Sequence, residues 1–154
     1  MRRAVAVNLT VCVLLFVQYI LGMGANVFIT LPASHPGSNA SNYFSGVGSG
    51  VSWAISSGPG WVAAHAAFGL ALVIVAIIAV PLARGVSRTA TALAVLGGLC
   101  IIGAGFNGAS FLNYGHAVSS LIMAGLWAAA LACYAVGALL AVRAERYSPS
   151  VANT

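Results

Sequence analysis

Residues 61–83, WVAAHAAFGLALVIVAIIAVPLA, decide the fold because this stretch runs without a single charged side chain. A transmembrane helix needs about 20 consecutive, mainly apolar residues, and the stretch is long enough. Three further stretches share its character, namely 5–29, 89–112 and 116–142. They are rich in Ala and Leu and lack strict alternation, which favours helices over membrane strands. The sequence therefore predicts an all-α membrane protein, a bundle of four transmembrane helices in a single membrane domain over 1–154.

The composition of the whole chain leads to the same class. Hydrophobic residues make up 61% of the 154 residues and charged residues only 5%, against roughly 25% charged residues in a typical soluble domain. This composition excludes a water-soluble domain and a disordered chain, and predicts a lipid bilayer around most of the surface. The net charge of +5 comes from arginines grouped beside the apolar runs. We therefore expect no nucleic-acid partner.

The positions of the arginines predict the orientation. With four spans, all of them fall on one side of the membrane, which the positive-inside rule makes cytoplasmic. We expect both termini inside a bacterial cytoplasmic membrane, an outer loop over 30–60 that lies along the interface or caps the bundle, and a cytoplasmic tail over 147–154. The first span is about twice as long as a signal-peptide core, so it is expected to remain as an anchor. The arginines are Arg2, Arg3, Arg84, Arg88, Arg143 and Arg146.

A short repeat relates the first and third spans. Residues 22–26 (GMGAN) and 103–107 (GAGFN) share the pattern Gly-x-Gly-x-Asn, and a span with one outer histidine follows each of them. The pattern suggests two pseudo-symmetric helical hairpins related by an axis along the membrane normal. The alternative is the ordinary use of small residues in helix packing.

Two histidines are the main candidates for chemistry. His65 lies in the second span and His116 at the start of the fourth, and counting along the spans places both in the outer leaflet. An imidazole within a span is costly unless it is paired, hydrated or ligated. Two histidines from different helices at one depth, beside small residues, match a bis-histidine site for haem b. The residues expected around it are Gly22, Gly24, Asn26, Gly69, Gly105, Asn107, Ser119 and Ser120.

Other interpretations of these residues stay open. Each histidine also fits the headgroup boundary, with hydrogen bonds to Ser, Asn or water. His35, in the outer loop, is a candidate third ligand for copper or zinc, although its setting is typical of a solvated loop. Met23 and Met123 are candidate axial ligands, although methionine in a span usually serves packing.

The layout resembles one half of the haem A synthase family. That family has two four-helix halves, each with a long outer loop after its first helix and a haem-ligating histidine on its second and fourth helices. The matching features here are the loop 30–60, WVAAH at 61–65 and YGH at 114–116. The acidic residue that the family carries near the helix-two histidine is absent, as is its pair of loop cysteines. The resemblance implies haem binding by His65 and His116 but not haem A synthesis; small b-type cytochromes are similar in kind.

The spans contain no acidic residue and no lysine, so acid–base turnover is not expected. A ligated, low-dielectric pocket suits electron transfer or the handling of haem. The sequence therefore predicts a b-type haem protein, and it favours a role without turnover over an enzymatic one without deciding between them. The competing class is a structural or assembly subunit without a cofactor, either a homodimer or part of a larger membrane complex. Its sequence support is the set of small-residue faces on the spans.

Overall fold

The computed structural model describes residues 2–147, and this part of the chain forms five helices. Four of them, α1, α3, α4 and α5, are long and apolar enough to cross a membrane. The prediction of an all-α bundle with four transmembrane helices is therefore confirmed. The predicted tail lies outside the described residues from position 148 onward. The helices are α1 (Arg2–Phe28), α2 (Tyr43–Ser56), α3 (Gly60–Arg84), α4 (Arg88–Tyr114) and α5 (Ala117–Tyr147).

Capping interactions define both ends of α4 and leave short connections to α3 and α5. The Ser87 hydroxyl accepts a hydrogen bond from the Ala90 N–H at 3.0 Å and caps the start of α4. Gly115 ends α4 in the left-handed conformation, at φ 67°, which glycine adopts without strain. Its N–H donates to the Phe111 carbonyl at 2.9 Å. These two ends let α4 pack antiparallel against α3 and α5.

The four long helices form a ring. Helix α1 packs against α3 and α5, and α4 packs against the same two helices. Therefore α3 and α5 are diagonal partners, as are α1 and α4. Val11, Leu72 and Tyr134 are the largest fully buried side chains of the core. The Tyr134 hydroxyl donates to the Ala94 carbonyl at 3.3 Å, so this buried polar group is satisfied between α5 and α4.

The antiparallel order collects all six arginines at one end of the bundle, called here the arginine end, and α2 at the other, called the cap end. The segment 30–60, predicted as an outer loop or cap, contains the helix α2, which packs against α3 and α4. The Asn42 side chain caps this helix by accepting from the Ser45 N–H at 3.0 Å. Asn113 then holds it on α4 by donating to the Gly46 carbonyl at 2.9 Å. The cap is thus an ordered helix tied to the bundle.

Candidate functional site

A polar contact joins α1 to α3 within the apolar bundle. The side-chain nitrogen of Gln18 lies 3.1 Å from the His65 carbonyl oxygen and 3.3 Å from Nε2 of the His65 ring. An amide nitrogen only donates, so Nε2 of His65 accepts and a neutral ring carries its proton on Nδ1. This contact fixes both the rotamer and the tautomer of His65.

Two atoms of this pair lack partners. Nδ1 of His65 and Oε1 of Gln18 are both buried, and neither has a hydrogen-bond partner within residues 2–147. An unpaired polar atom in a membrane interior costs free energy that a solvated atom does not. One unpaired donor and one unpaired acceptor on neighbouring side chains make Gln18 and His65 the strongest candidate site in the described chain.

Glycines on the facing helices make room for the pair. A Cβ atom at Gly22 would lie 2.8 Å from Cε1 of His65, and one at Gly69 would lie 3.1 Å from Nε2 of Gln18. Each polar side chain therefore fills a glycine gap on the opposite helix. Gly24 is filled in the same way by the Trp61 ring. The glycines predicted to line a haem pocket on α1 are instead occupied by side chains of α3.

The contacts of α1 also fix the depth of His65. Trp127 donates to the Leu15 carbonyl at 2.8 Å and its ring lies 5.0 Å from the Tyr19 ring, whereas His65 contacts Gln18 and Gly22. His65 is therefore about one helical turn nearer the cap end than Trp127. His116 precedes Trp127 by 11 positions, about three turns or roughly 16.5 Å at 1.5 Å per residue.

The two histidines consequently do not share a depth, and the structure does not bring them together. His116 is exposed at the cap end, where its ring stacks on Tyr114 with centroids 5.8 Å apart. In residues 2–147, no group of three or more His, Cys, Asp or Glu side chains is placed to hold a metal ion. His65 stands 19 positions before Arg84, whereas His116 stands 27 positions before Arg143, so His116 lies further from the arginine end.

Haem therefore fits these residues only in part. Nδ1 of His65 carries the ring proton while Gln18 donates to Nε2, so this nitrogen would ligate iron only if that proton moved and the Gln18 contact to Nε2 broke. A second imidazole at His116 lies too far toward the cap end to share the iron. A macrocycle also finds no gap between α1 and α3 as they pack, because the His65 and Trp61 rings fill the spaces at Gly22 and Gly24.

The remaining residues predicted around haem do not surround one space. Asn26 is exposed, and Asn107 donates to the Gly103 carbonyl of its own helix at 2.9 Å. A Cβ at Gly105 would meet nothing within 4 Å. Ser119 is buried and Ser120 half-buried near the start of α5. The two Gly-x-Gly-x-Asn segments thus have different surroundings, and the repeat is not reproduced in packing.

His35 belongs to the cap. Its ring stacks on Trp53 with centroids 4.4 Å apart, and its Nε2 lies 3.1 Å from the Leu112 carbonyl oxygen. Nδ1 lies 3.1 Å from the Pro36 carbonyl oxygen. A neutral imidazole carries one N–H and donates to only one of these carbonyls, and the Nε2 contact is the one that joins the loop to α4. The proposed third metal ligand is not directed toward His65 or His116.

Sequence reasoning missed Gln18, although a carboxamide within a span is itself a signal, since polar side chains there face the bundle interior. What the sequence could not supply is the rotational position that aims His65 at α1 rather than across the bundle at α5. That rotation depends on which side chains of α3 pack against each of its neighbouring helices.

A second feature is the outward face of α5. On α1 and α4 the exposed apolar positions carry mostly large side chains, such as Phe16 and Leu99, and α3 exposes three alanines (Ala64, Ala67 and Ala71) among large side chains such as Ile74. The middle of α5 instead exposes a continuous set of small residues, here called the small face. A Cβ at its glycine would meet nothing within 4 Å, so no residue between 2 and 147 covers this position. The small face consists of Ala124, Gly125, Ala128, Ala129, Ala132 and Ala135.

Comparison with family models, with curated proteins and with solved structures finds no match to this chain. Its function is therefore argued from its own residues.

Proposed function

We propose that this chain is a non-catalytic membrane subunit that pairs with a second copy of itself through the small face of α5. The observation that supports this is the extent of that face, which has six exposed small residues, against three exposed alanines on α3 and mostly large exposed side chains on α1 and α4. Lipid tails solvate large apolar side chains as well as small ones, so hydrophobicity alone does not select small residues there. Small residues are instead favoured where a second helix approaches closely, because dispersion contacts grow as the two backbones come nearer.

A second copy is the occupant that best suits this surface. Two copies inserted in the same orientation present identical small faces, which are complementary when the helices cross about a two-fold axis. The face is also uncharged, so no charged partner is needed to match it. The large side chains at its two ends, including Leu121 and Leu139, would then pack around the crossing point.

The test uses two exposed glycines, Gly125 and Gly105, at which an added Cβ atom would meet nothing within 4 Å. Gly125→Leu places a bulky side chain on the small face, whereas Gly105→Leu places the same side chain on α4, where a Cβ also meets nothing within 4 Å. We expect the wild type to dimerise in lipid bilayers and Gly125→Leu to raise the dissociation constant by about tenfold or more, with Gly105→Leu unchanged. Photobleaching steps counted at varied protein-to-lipid ratios give the constant. A wild-type monomer at every ratio would contradict the proposal, as would an equal loss in both variants.

Haem b bound through His65 is the second candidate, with a role in electron transfer or haem handling. The observation that favours it is a buried imidazole whose hydrogen bonding is incomplete, and ligation through Nδ1 would require the proton to leave that nitrogen and Gln18 to release Nε2. When bound, haem would supply a one-electron redox centre, and His65 would hold its iron. An absorption spectrum of the purified protein tests this. A Soret band that His65→Ala removes and His116→Ala keeps supports ligation by His65 alone, and loss in both variants supports the bis-histidine pair. A colourless wild type without iron ends the haem interpretation.

The orientation is part of the same proposal. We infer that the arginine end faces the cytoplasm of a bacterial cell and the cap end faces outward, so that both termini are inside. The support is the position of all six arginines at one end. In a variant without the three native cysteines, a membrane-impermeant thiol reagent added to whole cells should label Ser49→Cys and spare Thr89→Cys. Labelling of Thr89→Cys from outside would reverse the orientation.

A further inference from the structure

A cleft at the arginine end lies between the start of α1 and the turn that joins α3 to α4. Its volume is about 350 Å³, within the roughly 300–1,000 Å³ of small-molecule sites. Two guanidinium side chains and four uncharged residues form its wall. The lining residues are Arg2, Arg3, Ala4, Leu82, Gly85 and Val86.

The lining of this cleft contains two cations and no acidic side chain. Glu145, the single acidic residue of the sequence, lines a different cleft of about 510 Å³ together with Arg2 and Arg146. The first turn of α1 carries no acidic residue. The cleft between α1 and the α3–α4 turn is therefore the more strongly cationic of the two.

We propose that this cleft binds the phosphate group of an anionic phospholipid. Guanidinium groups recognise phosphate oxygens with paired hydrogen bonds, and Arg2 and Arg3 supply two of them at the level where the apolar span ends. Below the cleft, α1 exposes Leu9, Val13 and Phe16 to the membrane. A phosphate held in the cleft would thus place the acyl chains of its own lipid along this apolar face. Basic pockets between transmembrane helices are typical sites for such headgroups.

The experiment measures binding of phosphatidylglycerol to the full chain in nanodiscs of phosphatidylcholine. The variant Arg2→Gln/Arg3→Gln removes both cleft cations. The control Arg88→Gln/Arg143→Gln removes two cations from the same end, neither of which lines the cleft. We expect the cleft variant to lose at least about tenfold more affinity than the control, the loss expected for a charge-assisted hydrogen bond. Equal losses would mean a diffuse surface charge and would overturn the proposal.

Two further experiments test whether the guanidinium groups themselves are needed and whether the ligand is a phospholipid or free phosphate. Because arginines also orient the spans, Arg2→Lys/Arg3→Lys retains the charge while removing the guanidinium fork, with Arg88→Lys/Arg143→Lys as its control. We expect weaker lipid binding only in the cleft variant, and equal binding in both would overturn the proposal. Sodium phosphate is then added to the lipid-bound protein at constant ionic strength. Retention of the lipid supports a phospholipid site, whereas full displacement at millimolar phosphate would assign the cleft to free phosphate instead.

Discussion

The side-chain nitrogen of Gln18 donates both to the ring and to the carbonyl of His65, at 3.3 and 3.1 Å, and so ties α1 to α3 at two points on one residue. Glycines on both helices allow this approach. The contact differs from simple packing because it leaves Nδ1 of His65 and Oε1 of Gln18 buried and unpaired within the described chain. It therefore stabilises the interface between α1 and α3 while holding two polar atoms out of contact with water.

The energy of this contact is measurable by a double-mutant cycle. We expect Gln18→Leu and His65→Leu to be coupled by about 1 kcal/mol, since hydrogen bonds between membrane helices are worth roughly 0.6 kcal/mol on average and rarely reach 2. Unfolding in mixed micelles gives the four free energies of unfolding. Each single variant also removes one unpaired buried atom, which offsets part of its loss. Additive effects, with a coupling near zero, would mean that the two side chains are neighbours without a bond.

The glycine gaps make a second prediction with its own control. Gly22→Ala places a Cβ atom 2.8 Å from the His65 ring, and Gly24→Ala meets the Trp61 ring even more closely. Each should lower the free energy of unfolding by about 1–3 kcal/mol, the usual cost of overpacking. Gly105→Ala meets nothing within 4 Å and should be neutral or slightly stabilising, because alanine favours the helix. A loss at Gly105→Ala as large as at Gly22→Ala would show that helix propensity, and not the gap, controls the effect.

The four spans could be predicted from the sequence because the bilayer imposes a local rule of length and polarity on each of them. Helix α2 was predicted only as a loop or cap, since Gly46, Gly48 and Gly50 give it a weak intrinsic tendency to form a helix. Two of these glycines, Gly46 and Gly50, are buried, and a Cβ at Gly50 would collide with Asn113. Contact with the bundle therefore stabilises a helix that its own residues do not favour.

The candidate site was predicted only in part for a different reason. His65 was identified because an imidazole in a span needs a partner, and that argument requires no geometry. Its partner was not identified, because pairing depends on the depth and rotation of each helix. His116 stands 27 positions from Arg143 but His65 only 19 from Arg84, so the two do not reach one depth, and the face of α3 that carries His65 contacts Gln18.

The last prediction concerns the anchor between the cap and the bundle. The His35 ring stacks on Trp53, and its Nε2 atom faces the Leu112 carbonyl, which lies in the last turn of α4 and lacks a partner in its own helix. His35→Ala should therefore loosen α2 while the long helices stay intact. We expect amide hydrogen exchange over 43–56 to become about tenfold faster, the effect of losing a hydrogen bond and a ring contact worth about 1.4 kcal/mol together.

His116→Ala is the matched control for this experiment, because His116 is also a histidine at the cap end but is exposed and contacts Tyr114 rather than α2. It should leave exchange over 43–56 unchanged. In both variants the amides around the buried Tyr134 should keep their protection, since the core between α4 and α5 is untouched. If His35→Ala leaves α2 as protected as in the wild type, the cap is held by the Asn113 bond to Gly46, and the His35 contacts add nothing to it.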